Sequence, residues 1–129
     1  MSMVVAIFED DKDLADILQE RMEGRKFVVK NYYSMSNPEW EQSDVVLGDF
    51  RNRIVSFETL RQKCVQLGIP LIAISGAETG FTPQVLKPFT IEELESVILQ
   101  ELMNSQNRVK PAKKPAKKTG FLKRIFQKK

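Results

Sequence analysis

Apolar residues follow two alternating patterns along the chain. Short uninterrupted apolar runs predict buried strands, whereas longer stretches with apolar residues every three or four positions predict helices. The predicted strands lie at 3–8, 26–33, 44–49 and 70–75, with a brief fifth at 83–88. The predicted helices lie at 11–24, 56–68 and 90–103. The polar segment 34–42 contains a proline and predicts a loop or at most a short helix.

Capping residues support the predicted helices. Asp11 or Asp13 is expected to cap the first helix and Gly24 to end it, while Thr90 and Glu93 form a capping box at the third. Each predicted helix has a set of expected core positions on one face. They are Leu14, Ile17, Leu18 and Met22 in the first helix, Phe57, Leu60, Cys64 and Leu67 in the second, and Ile91, Leu94, Val97, Ile98 and Leu102 in the third. Because strands and helices alternate and most strands are apolar throughout, we expect an α/β fold with a parallel sheet covered on both faces.

Composition narrows the class of protein. A length of 129 residues suggests one domain, and no apolar run is long enough to span a membrane. The N-terminal residues do not resemble a secretory signal, and Cys64 is the single cysteine, so we expect a protein of the reducing cytoplasm. The absence of histidine excludes histidine-based catalysis and histidine-ligated zinc.

Charge divides the chain into an acidic body and a basic tail. Residues 108–129 contain ten Lys or Arg and no acid, so residues 1–107 hold 17 acids against 10 bases, a net charge of −7. We therefore expect a domain at 1–107, a disordered Lys/Pro/Ala-rich linker at 108–119 and a basic amphipathic segment at 120–129.

The terminal segment suggests a docking function. Drawn as a helix, it places four apolar residues on one face and flanks them with bases. The apolar residues are Phe121, Leu122, Ile125 and Phe126, and the bases beside them include Lys123 and Arg124. We expect this segment to dock on a protein partner or an anionic membrane surface, which would place the protein at the inner face of the membrane. Nucleic acid is the weaker alternative, because phosphate binding needs no phenylalanine, and a third alternative is a clamp on the chain's own acidic site.

Polar residues follow the predicted strands where parallel strands end at a common edge. These residues are Glu9, Asp10, Asp11, Asp49, Ser75 and Lys87. Clustered carboxylates repel one another, and Mg²⁺ is a hard cation that accepts carboxylate oxygens. A carboxylate such as Asp49 is also able to attack a phosphoryl donor. The strand ends therefore predict a Mg²⁺-dependent phosphoryl-transfer site.

The ordered motifs "FEDD", "VVLGD", "LIAIS" and "VLKPF" resemble the receiver domain of two-component response regulators, over about residues 3–104. The resemblance implies the CheY-like, flavodoxin-like fold, a doubly wound five-stranded parallel sheet. It also implies that Asp49 accepts the phosphoryl group. Glu9, Asp10, Asp49 and the backbone carbonyl of Arg51 would hold Mg²⁺.

The same resemblance implies that Ser75 supplies the switch hydroxyl and that Lys87 pairs with the acceptor and then with the phosphoryl group. The phosphoryl donor would be a histidine kinase or a phosphotransfer protein. Output would pass through contacts with a downstream protein target that the sequence does not name. We therefore expect a stand-alone, atypical receiver that is not an enzyme.

Two departures from the family pattern affect the output. Twelve positions separate Ser75 from Lys87, fewer than usual, so the family's fourth helix is expected to be missing or reduced. Gln84 stands three residues before the lysine, where the family favours an aromatic residue. Phe81 would substitute for that residue if the preceding loop bends suitably.

Two alternatives stay open from the sequence. The first is a phosphorylation-independent pseudo-receiver that acts as an adaptor. The second, less favoured, is a small phosphatase of the haloacid dehalogenase type, since Asp11 and Asp13 form a D-x-D pattern. That family needs a further acidic pair after the lysine, but the acids at 92–95 resemble first-turn helix residues. It also leaves Asp49 unexplained.

Overall fold

The computed structural model describes residues 3–106, which form one sheet and its covering helices. The strands are β1 (Met3–Phe8), β2 (Phe27–Asn31), β3 (Val45–Asp49), β4 (Leu71–Ser75) and β5 (Gln84–Leu86). The α-helices are α1 (Lys12–Met22), α2 (Phe57–Leu67) and α3 (Ile91–Gln106). A short 3₁₀ helix, Pro38–Gln42, lies between β2 and β3. None of the described helices is long and apolar enough to cross a membrane.

The five strands are all parallel and lie in the order β2-β1-β3-β4-β5. The expected α/β class with a doubly wound, five-stranded parallel sheet is confirmed. The chain moves from β1 outward to β2 and then returns to the other side of β1. The direction of winding therefore reverses between β1 and β3, and crevices at such switch points are where open α/β sheets bind ligands.

Helices α1 and α3 cover the first face of the sheet. Leu18 and Met22 of α1 and Leu94, Ile98 and Leu102 of α3 pack on strand residues there. The prediction that Ile17 belongs to this core was wrong, because its side chain is 45% exposed and Ala15 is buried instead. The face of α1 that packs on the sheet is therefore the one that carries Ala15, Leu18 and Met22, and Ile17 lies outside it.

Two predicted helix ends have different outcomes. Helix α1 ends at Met22 with Glu23 and not Gly24 as its C-cap, since the Glu23 N–H donates to the Gln19 carbonyl at 3.2 Å. At the start of α3 the capping box is confirmed. The Glu93 N–H donates to Thr90 Oγ1 at 3.0 Å, and the Thr90 N–H donates to Glu93 Oε1 at 2.9 Å.

Helix α2 and the 3₁₀ helix cover the second face. Trp40 of the 3₁₀ helix is fully buried, and its ring meets Phe8 edge-on with 5.5 Å between centroids. Tyr32 stacks on the same Phe8 ring at 5.7 Å. The segment 34–42, expected to be a loop or at most a short helix, contains this short 3₁₀ helix, and its one large ring covers part of the sheet. The sequence did not predict this burial of Trp40.

Helix α2 approaches β3 closely because residue 48 is a glycine. A Cβ atom at Gly48 would lie 2.8 Å from Cδ2 of Leu60, well inside ordinary van der Waals contact. Leu60 and Cys64 are the buried residues of α2. Gly48 therefore fixes how near the second-face helix lies to the strand that ends at Asp49.

Between β4 and β5 the described chain contains no helix, as expected from the short spacing. The loop is held by side chains instead. Gln84 Oε1 accepts hydrogen bonds from the N–H and the hydroxyl of Thr79, and the Gln84 amide donates to Glu78. Phe81 packs edge-on against Phe57 at 5.0 Å between centroids. The loop is thus tied to both β5 and α2.

Candidate functional site

Glu9 follows β1 and is the most deeply buried carboxylate of the crevice, with 2% of its surface exposed. Its Oε2 accepts a hydrogen bond from the Asp11 N–H at 3.1 Å. Its Oε1 lies 3.3 Å from Nζ of Lys87, an ion pair without hydrogen-bond geometry. One buried oxygen of Glu9 therefore has the Lys87 ammonium beside it and makes no hydrogen bond with any described residue.

Asp49 ends β3 at the same edge of the sheet. Its Oδ1 lies 3.1 Å from Lys87 Nζ, so one ammonium group contacts both acids. The backbone of Lys87 is fixed by its N–H, which donates to the Ser75 carbonyl at 2.7 Å. The pairing of β5 with β4 therefore carries the lysine across β4 to the carboxylates on β1 and β3.

Burial and charge determine the protonation of this group. Burial raises the pKa of Glu9, and the nearby Asp49 charge adds to the rise, while the Asp11 N–H and Lys87 oppose it. For Lys87, desolvation lowers the pKa, but the hydrogen bond with Asp49 and the charges of both acids outweigh it, so the net pKa is raised. Lys87 is consequently a persistent cation held between two acids.

Glu9, Asp10 and Asp49 each place one carboxylate oxygen within 4.8 Å of the other two. Asp10 is exposed, whereas Glu9 and Asp49 are buried. Three hard carboxylate oxygens at this spacing match the ligands that Mg²⁺ prefers, and Glu9 also has a buried Oε1 without a hydrogen bond. The residues present therefore fit a divalent cation of this type.

The loop after Asp49 is organised by two residues that the sequence did not single out for this role. Asn52 donates its amide to the Asp49 carbonyl at 2.6 Å, and its Oδ1 accepts from two following N–H groups. The Arg53 N–H donates to Asp10 Oδ2 at 2.9 Å, which ties this loop to the acidic pair. Asparagine favours such local turns, so Asn52 was the available signal. The Arg51 carbonyl as a metal ligand stays a prediction.

Ser75 ends β4 beside the site, but its hydroxyl is engaged within its own loop. Ser75 Oγ donates to the Ala77 carbonyl at 2.7 Å and accepts from the Ala77 N–H at 3.1 Å. A phosphoryl oxygen would therefore have to draw the hydroxyl away from the Ala77 carbonyl. The sequence predicted the position of Ser75 and did not predict this turn.

The acids needed for the phosphatase alternative have other partners. Asp11 caps α1, with its Oδ1 accepting from the Leu14 N–H at 3.3 Å. Glu92 and Glu95 pair with Arg25 at 3.1 and 2.8 Å. Asp11 thus serves as a helix cap, and Glu92 and Glu95 serve as ion-pair partners of Arg25.

Among the comparisons with known proteins, only the comparison with solved structures finds matches. No family model matches the sequence, and no curated protein matches it either. Many solved structures match. One is a CheY-like receiver domain protein from Methanospirillum hungatei, with 16% identity, a TM-score of 0.69 and coverage of 83% of this chain and 98% of that chain. The fold is that of a response-regulator receiver domain.

Further receiver structures agree. A receiver protein from Sinorhizobium medicae has 18% identity and a TM-score of 0.68, covering 81% of this chain and 97% of that one. The response regulator PhyR from Brucella abortus has 20% identity and a TM-score of 0.71, and this chain spans 50% of its length. The receiver fold expected from the sequence is thus confirmed. The predicted linker 108–119 and segment 120–129, with Phe121 to Phe126, lie outside the described residues.

Proposed function

We propose that this chain is an atypical signalling receiver that accepts a phosphoryl group on Asp49. One observation carries the proposal. At the switch point of a receiver fold, a buried aspartate shares a lysine with a second buried acid, and a third carboxylate completes a cluster of oxygens. The aspartate, the paired lysine and the acidic pair are the groups that the family resemblance requires, and the fold brings all of them together.

The chemistry follows from Asp49. One carboxylate oxygen attacks the phosphorus of a phosphohistidine, borne by a histidine kinase or phosphotransfer protein, and forms an acyl phosphate. The P–N bond breaks, and its electron pair goes to the imidazole of the donor. Lys87, already 3.1 Å from Asp49, is placed to pair with a phosphoryl oxygen once Asp49 is phosphorylated. Ser75 would reach the same oxygens after leaving the Ala77 carbonyl.

Glu9, Asp10 and Asp49 would hold Mg²⁺, with the Arg51 carbonyl as the predicted further ligand. When bound, the cation would neutralise charge that develops on the transferred group. The protein's own share is to keep three acids close together in spite of their repulsion. The ammonium of Lys87, which pairs with both Glu9 and Asp49, offsets that repulsion.

Output would pass through protein contacts and not through catalysis, and the cytoplasmic location expected from the single cysteine stays a prediction. The standard read-out is altered, because Gln84 replaces the usual aromatic residue and is bonded to the β4–β5 loop. Phe81, the predicted substitute, packs on Phe57 of α2. The tail's proposed role in localisation or partner docking, at an anionic membrane surface or elsewhere, stays a prediction from the sequence.

A second candidate is a phosphorylation-independent adaptor. The specific observation in its favour is that both read-out elements, the Ser75 hydroxyl and the Gln84 side chain, are bonded into the β4–β5 loop. Such an adaptor would use the receiver fold as a rigid platform, with the acids kept for structural reasons alone.

Labelling with a small phosphodonor separates the two candidates. The full chain is incubated with acetyl phosphate, with and without Mg²⁺, and the intact mass is measured. We expect one phosphoryl group in the presence of Mg²⁺, none in Asp49→Asn, and wild-type labelling in Asp13→Asn, which changes an exposed acid on α1. Failure of the wild type to become labelled by this donor or by a phosphohistidine protein would leave the adaptor as the better account.

A further inference from the structure

A groove of about 740 Å³ lies beside the site, between α1 and the segment that joins β5 to α3. Its apolar lining includes Leu14 and Ile17 of α1, together with Phe89 and Ile91. Ile17 is nearly half exposed, and the other three are partly buried against the first-face core. An open apolar groove on a domain of this size indicates a docking surface.

The exposed face of α1 next to this groove is acidic. Asp13, Asp16, Glu20 and Glu23 recur at intervals of three and four positions, so they form one stripe along the helix. All four are exposed, and none forms an ion pair with a residue in 3–106. The acidic stripe therefore offers negative charge that the described part of the chain leaves uncompensated.

The cations of the groove are mostly neutralised already. Arg25 pairs with Glu92 and Glu95, and Lys87 pairs with Glu9 and Asp49. Arg21 is the remaining basic residue of the lining. An occupant of this region would thus meet an apolar groove bordered by net negative charge, which calls for a segment that is both apolar and basic.

We propose that the occupant is the chain's own terminal segment, residues 120–129. Its apolar residues Phe121, Leu122, Ile125 and Phe126 would enter the groove, and its bases would face the acidic stripe on α1. The segment matches both properties of the surface, since plain charge attraction would not need two phenylalanines. The body's charge of −7 and the ten bases after residue 107 act in the same direction.

The chain is long enough for this contact within one molecule. Ile91 lies at the groove and begins α3, and the helix ends at Gln106, about 24 Å away at 1.5 Å per residue. The linker 108–119 spans about 37 Å when extended at ~3.1 Å per residue, which exceeds the return distance. A short tether gives an effective concentration near the millimolar range, so an intrinsic Kd of about 1 mM would already half-occupy the groove.

Docking here has a consequence for the site that rests on the proposed function. Lys87 lines the groove and also pairs with Asp49, so a docked segment would lie on the α1 side of the acceptor. Docking itself does not require phosphorylation, and the two ideas are therefore tested by separate measurements.

The test uses paramagnetic relaxation in the full chain. A spin label is attached at Gln127→Cys, and Cys64 is left in place because it is buried and burial raises the pKa of its thiol to about 12. We expect the label to broaden amide signals of residues 14–21 and 89–91, and to spare those of α2. High salt should weaken the effect, because part of the attraction is electrostatic.

Two double variants then test the apolar contacts and the electrostatic contacts separately. Phe121→Ser/Phe126→Ser should lower the ratio of docked to free segment roughly tenfold or more, since two large apolar groups lose their burial. Asp16→Lys/Glu20→Lys should also weaken the broadening several-fold. Glu58→Lys, an exposed charge reversal on α2, is the matched control and should leave it unchanged.

Four results would overturn the proposal. The first is broadening that is uniform or centred on another surface. The second is broadening that appears equally when the label and the isotope are on different molecules, which would indicate a second copy as the occupant. The third is a groove unaffected by the label while phosphatidylserine vesicles bind the segment, which would make it a membrane anchor. The fourth is broadening that neither double variant changes.

Discussion

The substitution Gly48→Ala tests how the second-face helix is held against the strand that carries Asp49. The added Cβ would lie 2.8 Å from Leu60 Cδ2, 3.5 Å from Phe57 Cε1 and 3.6 Å from Leu71 Cδ1. The last two are ordinary contacts, and the first is about 1 Å too short. Leu60 is fully buried, so its side chain has no solvent-facing position to move to.

The cost follows from these distances. Overpacking of this kind costs about 1–3 kcal/mol, because side chains or the helix must shift. Alanine also has less conformational freedom than glycine in the unfolded chain. This stabilises the folded protein by about 0.4–1 kcal/mol when the native backbone is compatible with alanine. We expect Gly48→Ala to lower the free energy of unfolding by about 1–2 kcal/mol, a net effect of these two opposing contributions.

The assay is equilibrium unfolding in urea, followed by the fluorescence of Trp40, the single tryptophan, which is buried on the same face as Leu60. The urea midpoint should fall by about 1 M, with an unchanged slope. Gly24→Ala is the matched control, since nothing lies within 4 Å of a Cβ there, and it should be neutral or slightly stabilising.

A double variant checks the cause. Leu60→Ala alone should cost about 2–5 kcal/mol as a buried truncation. Combined with Gly48→Ala the loss should be smaller than the sum by about 1–2 kcal/mol, because the new methyl group enters the space that Leu60 vacates. Strict additivity, or a Gly48→Ala protein as stable as Gly24→Ala, would show that the close approach of α2 does not constrain residue 48.

Three further outcomes follow from the structure. Thr90→Ala should lose about 1 kcal/mol of stability in urea unfolding through loss of its cap on α3, whereas Ser96→Ala, exposed within the helix, should not. Burial raises the pKa of Cys64 to about 12, so about one thiol in 10⁴ is ionised at pH 8, and Ellman's reagent should react rapidly only with unfolded protein. Because only the unfolded chain ionises this thiol between about pH 9 and 12, stability should fall as the pH rises through that range and should not depend on Cys64 below it. Lys87→Met should lower thermal stability and tighten Mg²⁺ binding about tenfold in a titration, because the cation 3.1 Å from Asp49 is removed, whereas Lys63→Met, with an ion pair at 3.9 Å, should do neither.

The sheet and its strand ends were predictable from sequence because their signals are local. Uninterrupted apolar runs indicate strands buried on both faces, and parallel strands bring their carboxyl ends to one edge. In a sheet with the strand order β2-β1-β3-β4-β5, Glu9, Asp49 and Lys87 therefore lie at one edge. The parallel pairing of β5 with β4 brings Lys87 to this same edge, where it pairs with Glu9 at the end of β1.

The remaining features depend on contacts distant in sequence. Ile17 has the helical spacing of a core residue, but the rotation of α1 about its axis is set by packing against β2 and α3. Trp40 lies in a polar segment, and its burial depends on Phe8 and Tyr32. The turn at Ser75 depends on where the β4–β5 loop runs, which no local pattern specifies.

The strand order has a consequence for how the protein is made. Lys87 contacts Glu9 and Asp49, which precede it by 78 and 38 positions, and it lies directly after β5, an edge strand of three residues. During synthesis the two acids emerge first and stay without their cation until nearly the whole sheet has left the ribosome. A nascent or truncated chain that ends before residue 87 therefore carries Glu9 and Asp49 without the ammonium group that pairs with both.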